Sequence, residues 1–164
     1  MVVACSRGQG GAGGGRDAKA PRGPLTPIES YQHELRRLGA AETAALAAVA
    51  GATGTAYTDD ARLLAALRGT ALPRYREFVD GLAAIHPAGA DLAAFHDRLL
   101  GLSRRALDAL TRLEAAVARG DGTAVLLINQ EQLRVRAEMT DLGQAFDRLA
   151  MAPASAPASG APRP

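Results

Sequence analysis

The sequence has little of several residue types, and each shortage narrows the choice of fold. Tryptophan is absent, aromatic residues make up 4% of the 164 positions, and a single cysteine excludes an internal disulfide. Apolar residues still make up 48% of the chain, so the core must consist mainly of leucine and alanine. Both are strong helix formers, whereas strands favour β-branched and aromatic residues. The composition therefore predicts an all-α protein.

Long apolar runs are also missing. The longest is AALAAVA at residues 44–50, far short of the roughly 20 residues that span a bilayer. Charge is unevenly distributed: the first 24 residues carry a net +3 and Arg163 adds one, although the whole chain carries only +2. Residues 25–150 therefore have a net charge of −2, which disfavours nucleic acid as a partner.

Four segments repeat apolar residues at a spacing of three and four, which is typical of amphipathic helices. The first begins at Thr26–Glu29, where Thr26 and Glu29 form a predicted capping box, and it ends at Gly51. The second crosses Pro73, and because its apolar stripe keeps its phase there we interpret it as one kinked helix rather than two. Asp121 is the predicted N-cap of the fourth helix.

These segments predict an up-down-up-down four-helix bundle over residues 25–150, since short turns join antiparallel neighbours. Residues 5–24 are rich in glycine and proline and are predicted to form a disordered tether. Residues 151–164 are a Pro/Ala/Ser tail that we also expect to be disordered. The longest connection, GATGTAYT at residues 51–58, is the loop most suited to recognising a partner.

Two positions within the apolar stripes are polar. Glu42 lies two steps from the end of the first stripe and Gln132 two steps from the start of the fourth. In antiparallel helices they should face each other at one level, where a buried polar pair can fix the register. The alternative role, a proton-handling carboxylate at Glu42, requires a cavity beside it.

The start of the chain, Val2-Val3-Ala4-Cys5, resembles the lipobox of bacterial lipoproteins. The resemblance implies that Cys5 becomes the mature N-terminus and carries a lipid, so that residues 1–4 are the remnant of a signal peptide. It also implies a membrane attachment through that lipid, with the tether separating the bundle from the bilayer. Ser6, rather than aspartate, follows the cysteine, which by the same resemblance favours the outer membrane.

The three histidines, His33, His86 and His96, should lie towards one pole of the bundle. A zinc or copper site would need two or three of them to converge on one ion, which makes them low-probability metal candidates. No HExxH or CxxC motif accompanies them. We therefore interpret them as partly exposed surface residues.

The sequence predicts neither an enzyme nor a cofactor, because Ser103, Thr111 and the carboxylates give no nucleophile–base set that can be placed in one pocket. The favoured hypothesis is a lipid-anchored extracytoplasmic bundle that acts as an interaction or structural module. One alternative is a bundle that binds a metal or small ligand at the histidine pole. The other is a cytoplasmic helical adaptor without lipid.

Overall fold

The computed structural model describes residues 24–54 and 59–151, and it confirms an all-α, up-down-up-down four-helix bundle. Two long helices, α4 and α5, follow a first half in which α2 and α3 are joined by a π-helical turn. The helices are α1 (Pro27–Thr53), α2 (Asp60–Ala66), the π turn (Leu67–Ala71), α3 (Leu72–Ala83), α4 (Ala90–Ala118) and α5 (Gly122–Met151). Most of the predicted tether and tail, and part of the 51–58 loop, lie outside the described residues.

The predicted capping box at the start of α1 is confirmed. The Glu29 N–H donates to the Thr26 hydroxyl over 3.2 Å, and the Thr26 N–H donates to the Glu29 carboxylate over 2.8 Å. The predicted end at Gly51 is wrong, because α1 continues to Thr53 and is capped by Gly54 at φ 50°. A glycine inside a helix costs only about 1 kcal/mol relative to alanine, which favourable packing of the same helix can offset.

The second predicted helix, now α2, the π turn and α3, remains helical through Pro73 because the turn before the proline is the wider π turn. Proline lacks an N–H and its ring crowds the carbonyl four residues earlier. In the π turn, the Leu72 N–H instead donates to the Leu67 carbonyl, five residues back. The wider turn also shifts the apolar face: the spacing of three from Leu67 predicts that Leu64 is buried, but Leu63 is buried and Leu64 only half-buried.

The helices bury two clusters of apolar side chains. The larger one lies between α1, the α2–α3 helix and α4, and includes the fully buried Leu67 and Leu82. The smaller one occupies the pole where α1 begins and α5 ends. Its ring contacts form an aromatic cluster of Tyr31, Phe95, His96 and Phe146.

Helix α5 packs closely along α4, and we call this contact the α4–α5 seam. Two ion pairs cross it on the outside, Arg105 to Glu138 at 2.9 Å and Arg112 to Glu131 at 2.5 Å. The predicted cap at the start of α5 is confirmed, because the Asp121 carboxylate accepts from a backbone N–H in the first turn.

Candidate functional site

A long groove separates α5 from α1, and we call it the α1–α5 groove. Its volume is about 450 Å³, within the range of small-ligand pockets. Its lining on α1 runs from Gln32 to Leu46, a distance on the order of 20 Å at 1.5 Å per residue. Apolar side chains from four helices line it, among them Leu35, Phe78, Leu99, Val135 and Met139.

The groove is closed at one pole and open along its length. At the closed pole, the rings of Tyr31 on α1 and Phe146 on α5 lie 6.1 Å apart. Beyond it, each wall carries a glycine, Gly39 on α1 and Gly143 on α5, and a Cβ added to either would meet nothing within 4 Å. Gly81 is different, because a Cβ there would overlap the Leu38 side chain. Gly81 thus permits close packing, whereas the two groove glycines leave space unfilled.

Helices α1, α3, α4 and α5 each contribute one polar side chain near the middle of the bundle. We call these residues the polar quartet: Glu42 on α1, Tyr75 on α3, Ser103 on α4 and Gln132 on α5. Glu42, Tyr75 and Gln132 line the groove, whereas Ser103 is completely buried beside Tyr75.

The predicted proximity of Glu42 and Gln132 can be judged from the helix register. Counting antiparallel from the contact between Tyr31 and Phe146 places Glu42 opposite Val135. Gln132 is three residues further along α5, less than one helical turn away. The structure thus places both side chains on facing walls of the groove, while their role in fixing the register stays a prediction.

The low polarity of the surroundings shifts the pKa values of the two titratable members of the quartet, Glu42 and Tyr75. Burial raises the pKa of the half-buried Glu42 carboxyl above its ordinary value, because the charged form loses its hydration. Burial also raises the pKa of Tyr75, and the charge of Glu42 raises it further. Tyr75 is therefore protonated at neutral pH and can donate a hydrogen bond.

Two atoms of the quartet have unmet hydrogen-bonding capacity. Among the described residues, neither Ser103 Oγ nor Gln132 Nε2 has a partner at hydrogen-bonding geometry, although both atoms are shielded from solvent. A buried donor without a partner costs about 1–3 kcal/mol. Of the two residues, only Gln132 lines the groove.

The spacing of Leu67, Ala71, Tyr75 and Phe78 places Tyr75 in the apolar stripe of the second predicted helix, and the sequence indicated no structural role for Ser103. A signal for Ser103 exists in the chain, since Leu99, Ser103, Ala106 and Leu110 are spaced by four, three and four. Ser103 therefore shares a face with apolar residues, as Glu42 and Gln132 do on their helices. What periodicity alone could not reveal is that these positions meet beside an open groove.

The histidines do not converge into a metal site. His33 and His86 are exposed, and the described residues contain no group of three His, Cys, Asp or Glu side chains suited to a metal. The expectation that all three are partly exposed is wrong for His96, which is 5% exposed. Its Nδ1 lies 3.1 Å from the Tyr31 hydroxyl, because α4 buries two adjacent residues, Phe95 and His96, around that tyrosine.

Cys5 and its lipobox-like neighbours lie outside the described residues. None of the helices in the described part of the chain combines the length and apolar character needed to cross a membrane. Comparison of the chain with protein-family models, curated proteins and solved structures gives no match.

Proposed function

We propose that the chain is a binding module whose α1–α5 groove takes an elongated, apolar small molecule. The observation that carries the proposal is an apolar groove of about 450 Å³ that the protein's described side chains leave unfilled. Each methylene group moved from water into such a groove contributes about 0.8 kcal/mol. A ligand of about ten methylenes therefore gains about 8 kcal/mol, which is comparable to the cost of association.

The groove glycines support this proposal. Alanine at Gly39 and Gly143 would favour the helix by about 1 kcal/mol at each position. Since nothing lies within 4 Å of a Cβ there, close packing among the described residues does not require glycine. Space for a bound ligand would account for glycine at these two positions.

Titration with N-phenylnaphthylamine, an uncharged apolar dye that brightens in dry pockets, tests the binding module. The full chain, produced without lipid, should bind the dye at the groove. Gly39→Leu and Gly143→Leu each place a leucine in the groove, and each should weaken binding by about tenfold, which corresponds to 1.4 kcal/mol. Gly101→Leu is the matched control, because Gly101 is an exposed α4 glycine with equal space but outside the groove lining.

Circular dichroism and thermal melts of the three variants show whether the fold is retained. Equal dye affinity in the wild type and both groove variants, with the fold intact, contradicts the proposal. A loss of affinity in Gly101→Leu as large as in the groove variants contradicts it as well.

We also propose that Cys5 is lipidated and that the bundle is displayed from the cell envelope. The lipobox-like Val2–Cys5 supports this location. Intact-mass measurement of native protein should find Cys5 at the N-terminus with a diacylglycerol and an acyl chain added. An unmodified cysteine in native material contradicts the anchor and favours the cytoplasmic alternative, while leaving the binding module untouched.

A further inference from the structure

We infer that the groove binds its ligand by a single unbranched hydrocarbon chain and leaves the head of that ligand in solvent. The inference rests on the proposed function and adds the chemical class of the ligand, a linear alkyl or acyl chain with a head of either charge or none. It follows from the width of the α1–α5 groove and from the charges along its mouth.

The groove is about one hydrocarbon chain wide. Its volume of about 450 Å³ is spread over a length on the order of 20 Å, which gives a mean cross-section of about 22 Å². One extended aliphatic chain has a cross-section of this size, whereas a fused ring system or two chains side by side need more. A linear chain can therefore lie along the groove, and a branched chain of the same composition cannot.

The two groove glycines lengthen the space rather than widen it. Counting antiparallel from the ring contact at the closed pole, Gly143 is level with residue 34, five residues from Gly39. This offset is about 7.5 Å along the helix. The missing side chains therefore lie at successive levels, which suits an extended ligand better than a compact one.

The charged residues that line the groove do not converge on one head. Arg136 is level with residue 41 in the same register, next to Glu42 on the facing wall. The Arg36 side chain runs back along α1, where its Nε donates to the Gln32 carbonyl over 3.3 Å, towards the end that carries Asp147. The two guanidinium groups thus lie towards different ends of the groove, and each end also has a carboxylate.

This balance gives the groove little preference for a charged head. Arg36, Arg136 and Asp147 are exposed, so water and salt screen their charges, and Glu42 is half-buried. Each methylene group placed in the groove, by contrast, raises affinity about fourfold, which corresponds to 0.8 kcal/mol. The chain therefore dominates recognition.

Displacement of N-phenylnaphthylamine by decanol and by its branched isomer 2-propylheptanol tests the width of the groove, since the two alcohols have the same atoms and the same head. Decanol should bind about tenfold more tightly, because the branch cannot enter beside the main chain. Equal affinities, or tighter binding of the branched isomer, overturn the inference.

Decanoate and decylamine test the head at pH 8 and physiological salt, since they share the chain of decanol and carry opposite charges. Both should bind within about threefold of decanol, because the charges at the mouth are balanced and screened. A larger preference for any one of the three heads overturns the claim that the head stays in solvent.

Two arginine variants sharpen the test of the head. Arg36→Gln and Arg136→Gln should each change the affinity for decanoate by about threefold or less, because neither guanidinium binds the head. A greater loss of decanoate binding in either variant, with decanol binding retained, would show that this arginine holds an anionic head.

Met139→Ala assigns the chain selectivity to the groove. Met139 is half-buried and lines the groove, so alanine widens the space and should reduce the preference for decanol over its branched isomer by about threefold. Leu133→Ala is the matched control, because Leu133 is an exposed residue of the same helix outside the lining, and it should keep the preference. An equal preference in the wild type and a folded Met139→Ala variant contradicts the assignment.

The inference and the proposed function fail in different ways. If neither the dye nor any of the four probes binds the wild-type chain, both fail. If the dye and the probes bind but the linear and branched alcohols do so equally, the groove is a binding site and the single-chain assignment is wrong.

Discussion

Helix α5 has one closely packed edge and one open edge. Along α4 its apolar side chains are buried, and ion pairs such as Arg105 to Glu138 cross the surface of the seam. Along α1 the same helix contacts Tyr31 through Phe146 at one pole, and then a groove of about 450 Å³ separates the two helices.

The two edges follow the same three-four periodicity, so periodicity does not set the difference between them. The edge towards α1 differs in side-chain size, since Gly39 on α1 and Gly143 on α5 both line the space. Tight helix packing requires each helix to fill the depressions of its neighbour. Where the side chain is absent on both walls, the depression remains and becomes a groove.

The largest effect should come from truncating one apolar side chain in the packed core and one in the groove. Leu82→Ala empties a position with 0% exposure and should lower the free energy of unfolding by about 2–5 kcal/mol. Met139→Ala removes a half-buried side chain that lines the groove, and it should cost about 1 kcal/mol or less because little packing is lost. Urea denaturation measures both, and equal losses would mean that the groove is as well packed as the core.

Substituting alanine for Gly81 and for Gly143 should change the stability of the bundle in opposite directions. Gly81→Ala places a Cβ against Leu38 and should destabilise the bundle by about 1–2 kcal/mol, because the leucine must move. Gly143→Ala meets open space and should stabilise it by about 0.5–1 kcal/mol through helix propensity. Thermal melts at neutral pH compare the two, and a destabilising Gly143→Ala would show that the space at that position is not available.

The closed pole should lose stability as the pH falls. Burial lowers the pKa of His96 below its ordinary value of 6.5, so the fold favours the neutral ring. The resulting stability is fully present above pH 6.5 and is lost as the pH falls below that value. His96→Phe should remove this part of the pH dependence of the melting temperature, whereas the exposed His33→Phe should retain it. Identical pH profiles in the wild type and His96→Phe would contradict the assignment.

The surface ion pairs of the α4–α5 seam should have the smallest effect. Both side chains of the Arg105–Glu138 pair are about half exposed, so Arg105→Ala should cost less than about 1 kcal/mol. The effect should shrink further at high salt, because exposed charges are screened. Urea denaturation at low and high salt checks this, and a large, salt-independent loss would show that the arginine stem, rather than its charge, holds the seam.

The sequence allowed the helices and their caps to be predicted because both depend on local information. The Thr26 and Asp121 caps and the antiparallel order follow from residue type and short spacing. The π turn before Pro73 could not be predicted in this way, because several backbone hydrogen-bond patterns can accommodate a proline inside a helix.

Only part of the candidate site could be predicted. Glu42 and Gln132 stood out as polar residues in apolar stripes, and they do line one groove. The groove itself depends on how closely α1 and α5 approach, and a stripe shows which face is apolar but not its distance from the next helix. The burial of His96 was likewise hidden, because it depends on Tyr31 of another helix lying beside it.

The most direct test of the central claim locates decanol on the full chain by nuclear Overhauser effects between its methylene protons and assigned protein methyl groups. We predict contacts to Leu46, Val135 and Met139 of the groove, and none to the exposed Leu126 and Leu133 on the outer face of α5. Contacts confined to the outer leucines, or spread evenly over both faces, would contradict the claim that the α1–α5 groove is a binding site.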